Sequence, residues 1–449
     1  MSANLGDWIA AQRWFRSRTR ARTNTQIVDT IGLEDVVVSF VRVTFSEGPE
    51  EIYIVPRVSD HDAAAQFGDL VLRVMRGELP FRSDRLELRR GSVDLTGVPP
   101  GAVGRAEQTN TTIRFGDRLI MKLYRTAVVG PNPEVEILRF LAEHGGPDAP
   151  TPRLAGEVWW VTPSGERAAV AMVQTFVPSR GDAWQATLEA LTLLLRDARG
   201  APSPAALAAE SARAHKLGAR TAALHRALAS PTDDAAFVPE STTSLASMGA
   251  RVRRDFASVL QKLRSTGATS EAVQRLMASA PHLEARIDAA TARPVAAFQT
   301  RTHGDFHLGQ VLVTPEDDFV IIDFEGEPAR PLDERRQKGL AVRDVAGMLR
   351  SFDYAAATVE RVREGGPPGW VAAWRQAVST SFVDAWWAGV VGSPAAPADE
   401  DELRRLLDLF LIEKAVYEIG YELDHRPEWV AIPIEGLLGL LSGVGGPEA

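Results

Sequence analysis

The sequence predicts an α+β protein of two lobes, and three observations carry that prediction. Alternating apolar and polar runs, the mark of half-buried strands, recur between residues 26 and 177. Beyond residue 184 the apolar spacing becomes helical over most of the remaining length. One stretch, 310–323, interrupts the helices with two short apolar strands and carries polar residues at both ends.

Taken in order, residues 1–18 place Leu5, Trp8, Ile9, Trp14 and Phe15 at amphipathic-helix spacing. Strands are expected over 26–31, 36–44 and 52–58 and a helix over 63–79, which together read as an N-terminal cap subdomain over 1–96. The turn cluster GVPPGAVG at 97–104 closes it. TTIRFGDRLIMKLYR (111–125) then reads as a hairpin around Gly116-Asp117, with Lys122 late in its second strand. Asn132-Pro133 opens a helix bearing Glu134 and Glu136, and strands at 156–162 and 168–177 lead into the hinge PSRGDAW (178–184). A Lys-bearing strand, a Glu-bearing helix and a strand into a hinge is the element order of a kinase nucleotide-binding lobe, so 97–180 reads as a nucleotide-binding intermediate subdomain. Residues 181–449 form a mostly α-helical lobe, with helices expected over 185–198, 205–229, 248–262, 270–291, 342–357, 368–388 and 402–425. Surface loops are expected over 231–247 and 392–401.

The 449 residues are 45% apolar and 24% charged, an ordinary globular balance. A net charge of −9 argues against nucleic acid or an anionic membrane as partner. The absence of cysteine excludes disulfides, thiolate metal sites and cysteine nucleophiles. The first residues lack a secretory apolar core and no apolar run reaches a membrane span, so a cytoplasmic setting is expected.

The chemistry concentrates in residues 302–328, THGDFHLGQVLVTPEDDFVIIDFEGEP. Asp305 lies in a polar loop, Gln310 follows five residues on, and Asp323 follows an apolar strand, the order of H-R-D-x-x-x-x-N and D-F-G in kinases. Phosphoryl transfer uses that set: Asp305 to accept the proton of the attacking hydroxyl, and Gln310 and Asp323 to hold Mg²⁺ by hard oxygens. Gln310 stands where Asn is usual and offers the same amide oxygen with one more methylene. Any one of these residues alone would read as a loop or capping residue; their joint spacing carries the reading. Gly304 replaces the Arg of the protein-kinase motif, and no A-P-E follows Asp323, which together favour a small-molecule kinase.

Lys122, steadied by Glu134 or Glu136, is placed to reach ATP phosphates. No G-x-G-x-x-G precedes it; Gln108, Thr109, Asn110 and Thr111 form a hydroxyl- and amide-rich loop that either covers the phosphates or is a plain β-turn. His303 and His307 flank Asp305 without a partner at zinc spacing, and His303 reads as a brace of the loop or a substrate contact. Glu325 and Glu327 are read either as substrate or metal contacts or as a solvated acidic turn. Asp344 is read as a helix cap, a hydrogen-bond partner of the catalytic loop, or both. Near the C-terminus Lys414, Tyr417, Glu418, Tyr421, Glu422 and Trp429 gather the aromatic and acidic groups that suit a sugar, or else form a packed helix face.

These residues sit within strings that resemble the bacterial maltokinases: QRWFRSR (12–18), EQTNTTIRFGDRLIMKLYR (107–125), QTFVPSRGDAW (174–184), THGDFHLGQVL (302–312), VIIDFEGEPARPLDERRQKGLAVRDVAGMLRSFDYAA (320–356) and EKAVYEIGYELDHRPEWVAIP (413–433). Phe15 and Thr302 depart from that family's more usual Tyr and Ile. The resemblance implies a bilobal protein-kinase-like, aminoglycoside-phosphotransferase-like fold with an N-terminal cap. It also implies ATP- and Mg²⁺-dependent phosphorylation of maltose at its anomeric hydroxyl by a stand-alone relative of the trehalose synthase-fused forms. Functional coupling to trehalose synthase and a maltosyltransferase, in α-glucan synthesis, would follow. Two other readings stand beside it: a kinase of the same fold acting on glucosamine or another amino sugar or aminoglycoside, and a non-catalytic sugar- or nucleotide-binding pseudokinase.

Overall fold

The computed structural model describes residues 2–59, 61–104, 109–146, 149–196, 203–267, 270–327, 330–362 and 369–441. Two compact units divide the chain, and the strand-rich one comprises Met1–Glu143 and Pro152–Pro178. Its elements are α1 (Ser2–Ala11), β1 (Arg22–Leu33), β2 (Val36–Phe45), β3 (Glu51–Val58), β4 (His61–Asp62), α2 (Ala64–Met75), β5 (Leu86–Arg90), β6 (Ala102–Val103), β7 (Asn110–Phe115), β8 (Leu119–Tyr124), β9 (Thr126–Ala127), α3 (Pro133–His144), β10 (Leu154–Val161) and β11 (Arg167–Thr175).

A five-stranded sheet runs β1-β2-β3-β4 with β9 on β3, and a six-stranded sheet runs β5-β10-β11-β8-β7-β6. The alternation of β2 explains why this unit has two cores. Val36, Val38 and Phe40 enter one core, and Val41, Val43 and Phe45 enter the other, against Leu5, Ile9, Trp14 and Phe15. Phe40 stacks on Trp160 of the second sheet with ring centroids 4.1 Å apart, so both sheets share the first core. Losing such a ring to alanine costs about 3–5 kcal/mol. Segments on either side of residue 97 exchange strands: β5 pairs with β10, and β9 pairs with β3.

The other unit comprises His144–Thr151 and Ser179–Ala449. It contains α4 (Ala183–Arg196), α5 (Pro204–Leu228), β12 (Glu240–Thr242), α6 (Ala246–Ser265), α7 (Glu271–Ala292), β13 (Ala297–Gln299), β14 (Val311–Val313), β15 (Phe319–Ile321), α8 (Leu332–Arg335), α9 (Val342–Val362), α10 (Trp370–Val390), α11 (Glu400–His425) and α12 (Ala431–Leu441). Asp399 caps α11 by accepting the Glu402 amide at 2.8 Å, and three acids fill that helix's first turn, where its dipole favours them. Helices α5 and α10 pack closely at Gly218, where a Cβ would fall 2.3 Å from the Phe382 carbonyl oxygen. β14 and β15 pair antiparallel, Val311 opposite Ile321, and bring the segments after residue 305 and around residue 323 to one end of a short ribbon.

Several elements lie outside the sequence expectation, β5, β12 and α12 among them. β5 (LELRR) ends in two arginines, β12 falls within an expected loop, and α12 contains Pro433, Gly436 and Gly439. In each, tertiary packing overrides a weak local signal.

Candidate active site

In the helical unit, the loop between β13 and β14 is held from below by one buried carboxylate. Asp344, in the first turn of α9, accepts the amide N–H of His303 at 2.7 Å and that of Gly304 at 3.0 Å. Its Oδ2 also lies 3.1 Å from His225 Nε2 on α5. Trp386 donates its indole N–H to His225 Nδ1 at 2.8 Å, so the ring hydrogen sits on Nε2 and points at Asp344. Burial works against the Asp344 charge, yet the His225 bond and the loop amides hold its carboxyl below the ordinary aspartate value. Gly304 adopts φ +85, a left-handed conformation that Gly enters without a Cβ penalty. His303 braces the other side, its Nε2 2.9 Å from the Ile322 carbonyl. Sequence reasoning named the Asp344 contact; it missed His225 and Trp386, which a lone His on an apolar helix face did not advertise.

Gln310 and Asp323 meet in the same unit: the Gln310 amide nitrogen donates to Asp323 Oδ2 at 3.1 Å. Asp323 has φ +66, sparsely populated for a side chain of this kind and typical of a functional position. A carboxylate and the oxygen of a neighbouring carboxamide are hard donors of the kind Mg²⁺ accepts beside water and phosphate oxygens. The residues present therefore fit the ion.

Asp305 opens onto a cavity of about 360 Å³ within the helical unit. Its floor carries Glu327, Lys414 and Arg343, and Tyr417 and Tyr421 of α11 line it further along with Asp255 of α6 and Asp424. Lys414 Nζ stands 3.6 Å from Asp305 Oδ1 and 3.3 Å from Glu327 Oε1. Glu327 also pairs with Arg330 and lies 3.8 Å from Arg343, and those cations outweigh burial to hold its carboxyl below the usual range. Helical periodicity selects which face of α11 the cavity meets. Tyr417 and Tyr421 point into it, whereas Glu418 and Glu422 face α9, where Arg350 Nε donates to Glu418 at 2.9 Å and the Tyr354 hydroxyl donates to Glu422 at 3.1 Å. Trp429 lies under the guanidinium groups of Arg361 and Arg426, each 5.3 Å from its ring centroid. Thus Glu327, Tyr417 and Tyr421 line the cavity, while His303, Glu325, Glu418, Glu422 and Trp429 do not. Sequence analysis gave Lys414, Asp255 and Asp424 no individual role, since nothing local marks which helix face turns inward.

In the strand-rich unit Lys122 Nζ pairs with Glu134 Oε2 at 2.9 Å, and the Tyr124 hydroxyl approaches the same oxygen at 3.2 Å. Glu136 lies half-buried one turn-edge away and contributes to the field on Arg139. The pair choice left open in the sequence therefore falls on Glu134. Thr111 is buried and accepts from Arg125 Nε at 2.7 Å, committing its hydroxyl to the interior. Thr109 and Asn110 lie partly exposed at the start of β7, and Gln108 lies outside the described residues.

Residues 103–377 match the APH family, described as the phosphotransferase enzyme family. This span is more than half of the chain, and the chain belongs to that family. It is thus a phosphotransferase with the aminoglycoside-phosphotransferase-like fold. A glucosamine kinase of Streptacidiphilus jiangxiensis is 29% identical over 377 residues, covering 82% of this chain and 78% of the relative. A glucosamine kinase of Mycolicibacterium smegmatis is 28% identical over 338 residues, covering 75% and 78%. Among solved structures, a glucosamine kinase in complex with glucosamine, ADP and inorganic phosphate superposes with a TM-score of 0.73 at 22% identity, covering 98% of this chain and all of that one, a likeness of fold. These findings overturn the maltokinase resemblance. The relatives carry another acceptor in their names, and maltose and the coupling to trehalose synthase and a maltosyltransferase fall with it. A shared fold, even with strings in common around Asp305 and along 413–433, does not by itself specify the acceptor. No helix among the described residues is long and apolar enough to cross a membrane.

Proposed function

We propose that this chain is an ATP-dependent kinase of glucosamine or a closely similar amino sugar. The observation that carries the reading is the Asp305 cavity. It has a carboxylate at the chemical end, tyrosine rings on one wall for the C–H face of a pyranose, and Asp255 and Asp424 further along for a protonated amine. The glucosamine kinases similar to this chain support the same choice.

In this reading Asp305 accepts the proton of an acceptor hydroxyl as its oxygen bonds to the γ-phosphorus of ATP. The bond from that phosphorus to the bridging oxygen breaks, and ADP leaves. Lys122, steadied by Glu134, contacts phosphate oxygens. Asp323 and Gln310 would hold Mg²⁺, which neutralises charge on the phosphates when bound. Asp344 acts one step back, fixing the backbone that aims Asp305.

Release of ADP by the purified chain, followed across glucosamine, N-acetylglucosamine, glucose and maltose with ATP and Mg²⁺, tests the proposal. A kcat/KM for glucosamine at least about tenfold above the neutral sugars is expected, since a neutral sugar brings no cation to Asp255 and Asp424. Preference for any neutral sugar would refute it.

A further inference from the structure

A cation already occupies the chemical end of a cavity read above as the site of a cationic acceptor. Lys414 reaches it from α11 and lies within 3.6 Å of Asp305 and 3.3 Å of Glu327, with its ammonium 4.9 Å from the Tyr417 ring centroid. Burial disfavours its charge, but Asp305, Glu327 and Glu418 outweigh that and keep it protonated, above the ordinary lysine value. Glu327 is further neutralised by Arg330 and Arg343. The far wall differs: Asp255 and Asp424 are exposed carboxylates, and Asp424 pairs with Lys262 at the surface.

We infer that Lys414 is a positioning and specificity residue. Its ammonium fixes the Asp305 carboxylate and denies that end of the cavity to an acceptor's own ammonium. The inference rests on the amino-sugar reading. An amino sugar has two ways to enter a cavity with carboxylates at both ends: hydroxyl toward Asp305, or ammonium toward Asp305. Only the first places an attacking oxygen at the base. Like-charge juxtaposition with Lys414 penalises the second, so the residue selects a pose by repulsion and not by adding a contact. Neutral sugars have no such second pose and are indifferent to this effect.

The test uses Lys414→Met and Lys414→Arg in the full chain, with kcat measured on glucosamine and calorimetric Kd measured for glucosamine and glucose. Removing the ammonium opens the unproductive pose. Lys414→Met is expected to bind glucosamine about tenfold more tightly while turning it over at least about tenfold more slowly, the signature of non-productive binding. Glucose affinity should move less than about twofold, and Lys414→Arg should restore the wild-type pattern. A merely structural lysine would instead weaken both sugars together and lower the melting temperature. Parallel changes for the two sugars, or unchanged glucosamine parameters, would overturn the inference and leave the amino-sugar reading standing. Failure of the wild-type chain to phosphorylate glucosamine would remove both.

Discussion

Replacing Asp344 by Asn tests whether one buried carboxylate aims the catalytic loop. Three donors converge on it: the amides of His303 and Gly304 and the Nε2–H of His225. Oδ2 takes two of them and Oδ1 takes the third. Asparagine offers one acceptor oxygen and an NH₂, so in its better orientation one buried N–H faces another N–H. That orphan costs about 1–3 kcal/mol, and the two remaining bonds lose charge assistance worth about 0.5–1.5 kcal/mol each. The sum is a loss of about 2–6 kcal/mol, read as a lower urea midpoint with an unchanged slope. Because His303 and Gly304 immediately precede Asp305, the same change displaces the proposed base. A shift of about 1 Å there lowers kcat by up to about 100-fold, while nucleotide affinity stays near wild type. A variant within about 0.5 kcal/mol of wild type and within twofold in kcat would show that Asp344 does not perform this role.

Further outcomes follow from the same geometry. Asp305→Asn should lower kcat by about 10²–10⁴-fold with ATP affinity retained by calorimetry; near-normal turnover would exclude it as the base. Gly304→Ala forces a Cβ into φ +85 and should destabilise the protein by about 1–2 kcal/mol and slow turnover, which melting and kinetics would both register. Lys122→Met should raise the KM for ATP at least about tenfold without changing acceptor affinity, and an unchanged ATP response would remove Lys122 from nucleotide binding. The carboxyls of Asp344 and Glu413 are held below their ordinary values of 3.8 and 4.5, Glu413 by Arg343 and Arg251 against the effect of burial. On acidification the unfolded chain therefore takes up these protons first. The stability they contribute is present above pH 4.5 and is lost as pH falls through and below that value, and Glu413→Gln should flatten the decline in urea midpoint.

The parts legible in the sequence were those with a fixed local period or a fixed spacing. The β7–β8 hairpin showed in the alternation around Gly116-Asp117, and the β14–β15 ribbon showed in the apolar runs between Gln310 and Asp323. The order and spacing of Asp305, Gln310 and Asp323 were readable because phosphoryl transfer, the chemistry proposed for them, constrains residue type and order. The acceptor was not, because it depends on which side of α11 turns toward Asp305. Tyr417 and Glu418 are neighbours in sequence, yet one lines the cavity and the other is paired with Arg350. The long-range bonds were equally silent: His225 and Asp344 are brought together only by the packing of α5 and α9, and nothing near either residue specifies it. Family likeness then pointed to the right fold and the wrong sugar, since one fold serves more than one acceptor.

The most direct test of the central claim resolves the product. Wild-type chain and Asp305→Asn are incubated with glucosamine, ATP and Mg²⁺, and phosphorylated sugar is quantified by mass spectrometry alongside ADP. The account predicts stoichiometric glucosamine phosphate and ADP from wild type and at least about 100-fold less of both from the variant. ADP without sugar phosphate, equal product from the variant, or phosphate ester formed only on neutral sugars would contradict it.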